Sequence, residues 1–232
     1  MKRLLLFTIT VYCTITSSCQ KNEDYYSCDP KIDQWAKTNL TEIRTMTRSE
    51  WLNIDISYAR AAYLASTPEQ KQEIWASKVR DVLAMDWSQK EKIHIKLLLD
   101  FIEQNKEIFE KNASNDESLC DFVDVFQYKW VSYAREELDW TDKLIFNFAF
   151  TIYQIENKYG HSLELKENKN GDILNNSGKN ILRLKTKSES RLDCNCNLTS
   201  IWYADCEEAN CRVLQTGCGF LTFWECNGRH LP

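Results

Sequence analysis

From about residue 29 to 160, apolar residues return every three or four positions, the spacing of helices with one buried face. Asp29-Pro30 reads as an N-cap followed by proline at the first helical position, and Ile32, Trp35, Ala36, Leu40, Ile43 and Met46 follow in phase. Thr47 with Glu50 makes a capping box ahead of Trp51, Leu52 and the Ala59 to Ala65 run. Thr67 with Gln70 makes a second around Pro68, before Ile74, Trp75, Val79, Val82 and Leu83. Ser88 with Glu91 makes a third, before Ile93, Leu97, Leu98, Phe101 and Ile102. In each box the two side chains satisfy backbone donors that a helix start leaves unpaired. Leu119, Phe122, Val123, Phe126, Trp130 and Tyr133 form a further stripe. The last helix is predicted from near Thr141 through Leu144, Ile145, Phe148, Ile152, Ile155 and Tyr159, with Gly160 just past its end. The fold class is therefore mainly α, a bundle of about six helices, long enough at roughly 130 residues to bury one core.

The pattern changes on both sides of this domain. Over 161–193, Leu163 and Leu165, then Leu182 and Leu184, alternate with polar residues around Asn170-Gly171 and Ser177-Gly178. A short hairpin and a polar linker are both consistent with that stretch. Residues 1–18 read as an export signal: Lys2 and Arg3, a largely apolar run from Leu4 to Ile15, then Thr16-Ser17-Ser18. The apolar run is too short to span a bilayer, which needs about 20 residues. A small-residue run ending in Cys19 resembles a bacterial lipoprotein signal, although Thr16 stands where such signals usually have leucine. The resemblance implies cleavage before Cys19 and lipidation of its thiol; ordinary secretion is the alternative. Residues 19–28 then form a polar tether, whose acidic Glu23 and Asp24 resemble a surface-export signal in some gram-negative bacteria. The expected location is the outer membrane or cell surface of a gram-negative bacterium.

Cysteines sharpen this picture. Of ten, six lie between Cys194 and Cys226, in a segment of residues 194–232 too small to fold on its own core. With Cys13 lost in the signal and Cys19 lipidated, Cys28 and Cys120 remain outside the tail, and their pairing is expected to tie the amino-terminal segment to the helices. The tail intervals are 2, 10, 5, 7 and 8, so only Cys194 and Cys196 approach a zinc knuckle. In an exported chain the six tail cysteines, Cys194, Cys196, Cys206, Cys211, Cys218 and Cys226, are expected to form disulfides. Six cysteines allow 15 connectivities, which spacing does not resolve.

The tail opens with Asp193-Cys194-Asn195-Cys196, continues through Cys218-Gly219-Phe220-Leu221-Thr222-Phe223-Trp224 and closes with Cys226-Asn227-Gly228. These motifs resemble the bacteriocin fulvocin C-related proteins over about 35 residues, and Thr67-Pro68-Glu69-Gln70-Lys71 before Ile74-Trp75 is similar to the longer members. Family tails often carry eight cysteines; here Tyr203 and His230 stand at two of those places, which implies that one whole bridge is absent and that the two side chains lie close. The resemblance implies an exported, bacteriocin-related envelope protein whose stapled tail meets a membrane or protein partner. A non-toxic surface lipoprotein, with helices scaffolding a protein- or glycan-binding tail, is the second reading.

Within the tail, Phe220, Leu221, Phe223 and Trp224 are the candidate partner-binding residues, suited to a membrane interface or a binding hot spot. The competing expectation is that they pack as the tail's own core or onto the helices. Strand alternation would put Phe220, Thr222 and Trp224 on one face and Leu221 and Phe223 on the other. Six of the eight tryptophans fall in the helical region, where their phase favours core packing over a ligand pocket. No catalytic residue, metal site or cofactor is expected: there is no His-Glu-x-x-His, phosphate loop or Gly-x-Ser-x-Gly, and His94, His161 and His230 are scattered. The formal charge of −5 becomes −7 when Lys2 and Arg3 leave, and without clustered cations it gives no footing for nucleic acid. Expected partners are the membrane through the lipid, and an envelope protein, a glycan or a target-cell membrane.

Overall fold

The computed structural model describes residues 24–158, 193–194, 206–208 and 213–230. Among these, the helical part comprises α1 (Pro30–Thr38), α2 (Leu40–Ile43), α3 (Arg48–Trp51), α4 (Ile56–Ala65), α5 (Pro68–Leu83), α6 (Gln89–Gln104), α7 (Glu117–Leu138) and α8 (Asp142–Ala149). Two 3-10 turns, Lys106–Phe109 and Ala113–Asn115, link α6 to α7. Short strands follow: β1 (Asp193–Cys194), β2 (Cys206–Glu208), β3 (Leu214–Cys218), β4 (Trp224–Cys226) and β5 (Gly228–His230). Strand β5 pairs antiparallel with both β1 and β2, and β3 pairs antiparallel with β4. The chain is mainly α with a bundle-like body, as the hydrophobic pattern predicts, and the C-terminal module adds two small sheets. No described helix is long and apolar enough to cross a membrane.

The starts of the helices obey local chemistry. Asp29 accepts from the Lys31 and Ile32 amides with Pro30 at the first position, and all three predicted capping boxes form in full. Such caps contribute about 1 kcal/mol each. Gln70 does a second job: its Nε2 donates to the carbonyls of Ile43 and Met46, tying the start of α5 to the end of α2.

The ends depart from the periodic reading. The stripe from Ile32 to Met46 breaks at Asn39, whose side chain donates to the Trp35 carbonyl at 2.7 Å and closes α1. The segment opened by Thr47 makes one turn and stops. There the Trp51 indole turns inward to donate to Ala59 at 2.8 Å, and Asn53 caps Ser49. The last helix ends at Ala149 instead of running to Tyr159. Lys78 on α5, 1% exposed, explains this: its ammonium donates to the carbonyls of Asn147, Phe148 and Thr151, gathering the final turn and the chain two residues past it. Ile152 and Ile155 are still buried, but from an irregular segment.

The tryptophans are core residues. Trp51, Trp75, Trp87, Trp130 and Trp140 are buried and Trp35 is partly buried. The indole donors of the five buried ones find acceptors, as in Trp87 to Val82 and Trp140 to Glu91. Helices α6 and α7 run antiparallel, since Phe101 stacks on Phe122 and Phe126 while His94, nearer the start of α6, stacks on Trp130 and Tyr133.

His94 is 2% exposed, and its Nε2 has no hydrogen-bond partner. Burial pushes its pKa down to about 4. In the unfolded chain the group titrates near 6.5, so between those values the unfolded state binds more protons. The neutral imidazole's contribution is therefore whole above about pH 6.5 and is lost as pH falls towards 4, up to about 3 kcal/mol. Urea midpoints measured across that window should fall with acidification. In His94→Phe, which keeps the stacking, the fall should be much shallower; equal slopes would remove His94 as the cause.

Candidate functional site

The tail hairpin is built into the helical body. Strands β3 and β4 pair Leu214 with Cys226 and Cys218 with Trp224, with a bulge between, and Cys218 and Cys226 form a disulfide across the hairpin with Cα atoms 5.4 Å apart. From α4, the Arg60 guanidinium donates to the Gly217 carbonyl at 2.6 Å and lies 2.9 and 2.8 Å from the sulfurs of Cys218 and Cys226. One cation thus grips both the strand and its staple. On the other side, Ser114 in the second 3-10 turn donates to the Gln215 carbonyl at 3.1 Å.

The loop between the strands is a turn, not an extended segment. Gly219 has φ 72°, and the 3-10 turn Phe220–Thr222 contains Leu221 and Thr222 at φ 49° and 58°. Left-handed backbone costs a non-glycine residue roughly 1–2 kcal/mol, so surrounding contacts must hold it. They do: the Thr222 hydroxyl meets the Tyr63 hydroxyl at 2.5 Å and accepts from the Trp75 indole at 3.1 Å, all inside the core. Burial pushes the Tyr63 phenol well above its usual range, so it stays a neutral hydrogen-bonding group.

This turn overrides the alternation expected of a strand. Phe220, Leu221, Thr222 and Phe223 are all buried, and Trp224 is half-buried, set edge-on to Phe223 at 4.9 Å. Phe220 sits against Phe126, Trp130 and Phe150 at centroid distances of 6.1, 6.3 and 5.7 Å. Of the four candidate partner-binding residues, Trp224 alone keeps appreciable exposure, so a displayed loop of all four is not what forms. The competing expectation, docking onto the helices, is what occurs.

Gly217 marks the closest approach. Its φ is +117°, and a Cβ there would lie 2.9 Å from Leu64 Cδ2 and 3.5 Å from Cys226 Sγ. Gly217→Ala is expected to destabilise by about 2 kcal/mol, from backbone strain and from displacing the hairpin off α4. A lowered urea midpoint for helical signal and hairpin together is the readout; an unchanged midpoint would show that the approach is loose.

The other predicted cysteines divide. Cys28 is disulfide-bonded, but Cys120 carries a free thiol, so the expected bridge between them is not made. The amino-terminal arm turns instead to the hairpin: Tyr25 packs on Leu214, Cys218 and Cys226, while Tyr26 is held by Asp33, and Asp24 by Lys111. Cys120 lies in the first turn of α7 with its thiol on the Ser114 carbonyl. Burial pushes that thiol up, and Asp124, Asp116, Asp121 and Glu117 push the same way, so it is a protonated, weak nucleophile. Backbone pairing places Cys194 opposite Gly228 and Cys206 opposite His230. The bonding of Cys194, Cys196, Cys206 and Cys211, the lipidation of Cys19, and the closeness of Tyr203 to His230 lie outside the described side chains. Among the described residues, no three His, Cys, Asp or Glu side chains group to hold a metal ion.

Sequence reasoning missed Arg60, Tyr63 and Lys78. Each is an ordinary surface or amphipathic residue by pattern, and only its partner 69 or more positions away reveals its role. Against protein-family models, curated proteins and solved structures, the chain finds no match.

Proposed function

We propose that the chain is an exported, lipid-anchored envelope protein of bacteriocin-related type whose helical body and stapled tail form one non-toxic unit that captures a protein or glycan partner at the cell surface. The observation that carries this reading is the burial of Phe220, Leu221 and Phe223 against the helices. A loop that enters a target membrane must offer its apolar side chains, and withdrawing three of them from a packed core costs several kcal/mol, at roughly 1.5–3 kcal/mol each. The disulfide between Cys218 and Cys226 supports an oxidising, exported setting. The tether supports a surface held close to its anchor, since Lys111 fixes Asp24 five residues after Cys19. Partner contact then falls to the outer tail, where, among the described residues, half-buried Trp224 and exposed Val213 are apolar side chains on offer.

The test is intact mass with non-reducing peptide mapping of protein purified from its own envelope, followed by an inhibition assay on related bacteria. A start at Cys19 with acyl mass, an uncut tail and no inhibition is expected. A chain lacking acyl mass, or one cleaved to free an inhibitory tail, would move the function to a released effector.

A further inference from the structure

The exposed large hydrophobic residues are not scattered. Among the described residues, all except Val213 lie on α6 and α7: Ile93, Leu97, Phe122, Val125, Tyr128 and Tyr133, from 38% exposed at Tyr133 to 74% at Tyr128. Their placement follows the seam between two antiparallel helices. Ile93 and Leu97 are one turn apart, and one turn beyond Leu97 is Phe101, which stacks on Phe122 at 5.4 Å. Val125 and Tyr128 continue from Phe122 at three-residue steps, and Tyr133 stacks on His94 at 4.9 Å, beside Ile93. A monomer seldom concentrates its exposed apolar side chains on two neighbouring helices without use for them.

Charge along this face is polarised. At the end formed by the start of α6 and the later part of α7 stand Lys92, Lys96 and Lys129, with Lys90 and Glu137 already paired to each other at 3.0 Å. Glu91 at this end is engaged by the Ser88 amide and the Trp140 indole, which leaves Glu136 as the further acidic residue of the two helices there. At the opposite end stand Asp100, Asp121 and Asp124, with Glu117 beyond them and no cation from either helix. Burial first, and then the neighbouring Asp121 charge, push the Asp124 carboxyl up.

We propose that the outer face of α6 and α7 is the surface through which two copies of this chain associate about a two-fold axis. An apolar centre with a basic end and an acidic end is complementary to itself when rotated by half a turn: each copy's Asp121 and Asp124 meet the other's Lys96 and Lys129, while Leu97, Phe122 and Val125 close over the axis. That is the isologous geometry of cyclic dimers. A membrane suits the face less well, because its acidic half would meet anionic headgroups. This inference is independent of the proposed partner capture, which uses the tail.

The experiment is sedimentation equilibrium of the exported chain beginning at residue 19, with Cys19→Ser so that no acyl chain drives association. A reversible dimer is expected, weakened at least tenfold by Leu97→Asp. Lys129→Glu and Asp121→Lys should each weaken it at least tenfold, and the two together should restore it, with helicity unchanged throughout because all three side chains are exposed or on the rim. A monomer at every concentration overturns the proposal, whether the face proves bare, covered by residues 159–192 of the same chain, or bound to added anionic vesicles. A dimer that ignores Leu97→Asp, or whose charge exchange brings no restoration, overturns it equally.

Discussion

Replacing Phe220 by alanine is expected to lower the stability of the whole chain by about 3–5 kcal/mol. The side chain is fully buried, and Phe126, Trp130 and Phe150 surround it from α7 and the end of α8. Those rings are fixed by further stacking, Phe126 on Phe101 and Trp130 on His94, so the walls cannot collapse into the space left behind. The informative readout is the far-UV signal of the helices in urea. A tail that merely hung from the body would lose its own order and leave the helical midpoint alone. A tail inserted in the core takes the helices with it. Val213→Ala, on the same tail but 37% exposed, should change the midpoint by no more than about 0.5 kcal/mol and serves as the control.

Lys78→Met should destabilise by about 3 kcal/mol, for the opposite kind of reason. Met reproduces the length of the stem but supplies no donor, and the carbonyls of Asn147, Phe148 and Thr151 would each lose one. An acceptor left unsatisfied in the interior costs about 1–3 kcal/mol. The gain from no longer burying a cation offsets part of this, since burial pushes the Lys78 pKa far below its ordinary value. The ammonium also lies over the Trp75 ring at 4.8 Å, which adds attraction that Met lacks. Urea unfolding measures the total, and hydrogen exchange locates it: the amides of α8 and of residues 150–155 should exchange faster than those of α5. Uniform loss of protection, or none, would mean that Lys78 does not hold the end of α8.

What was legible in the sequence is local. Asp29, the three capping boxes and the in-phase tryptophans announced helix starts and the core face, because a cap and a stripe are decided within a few residues. The ends were less legible. Nothing in the run from Leu144 to Tyr159 says that a lysine from α5 will gather its carbonyls, so the helix looked longer than it is. The same holds at Trp51, where the helix ends because an indole finds Ala59 across a bend.

The candidate site is only partly legible for a similar reason. The tail cysteines and the aromatic run were conspicuous, and Cys218 does pair with Cys226. The direction of the aromatic side chains depends on the backbone sign at Gly219, Leu221 and Thr222, and a Gly-Phe-Leu-Thr-Phe string is equally compatible with a strand. Left-handed backbone at Leu221 and Thr222 is affordable only because Tyr63 and Trp75 wait 147 or more positions earlier in the chain. An even cysteine count carries no geometry, so it does not reveal that Cys120 stays free and that Tyr25 leads its arm to the hairpin.

The central claim is that the tail hairpin belongs to the helical core, and hydrogen exchange on the oxidised chain tests it most directly. The Thr222 and Phe223 amides donate to Gly219 and Phe220 inside the body. A core location predicts that a peptide covering residues 219–226 is protected as long as one from the middle of α5, and opens with it as denaturant is raised. Exchange of that peptide within seconds, while α5 remains protected, would show a tail merely tethered to the helices and would contradict the account.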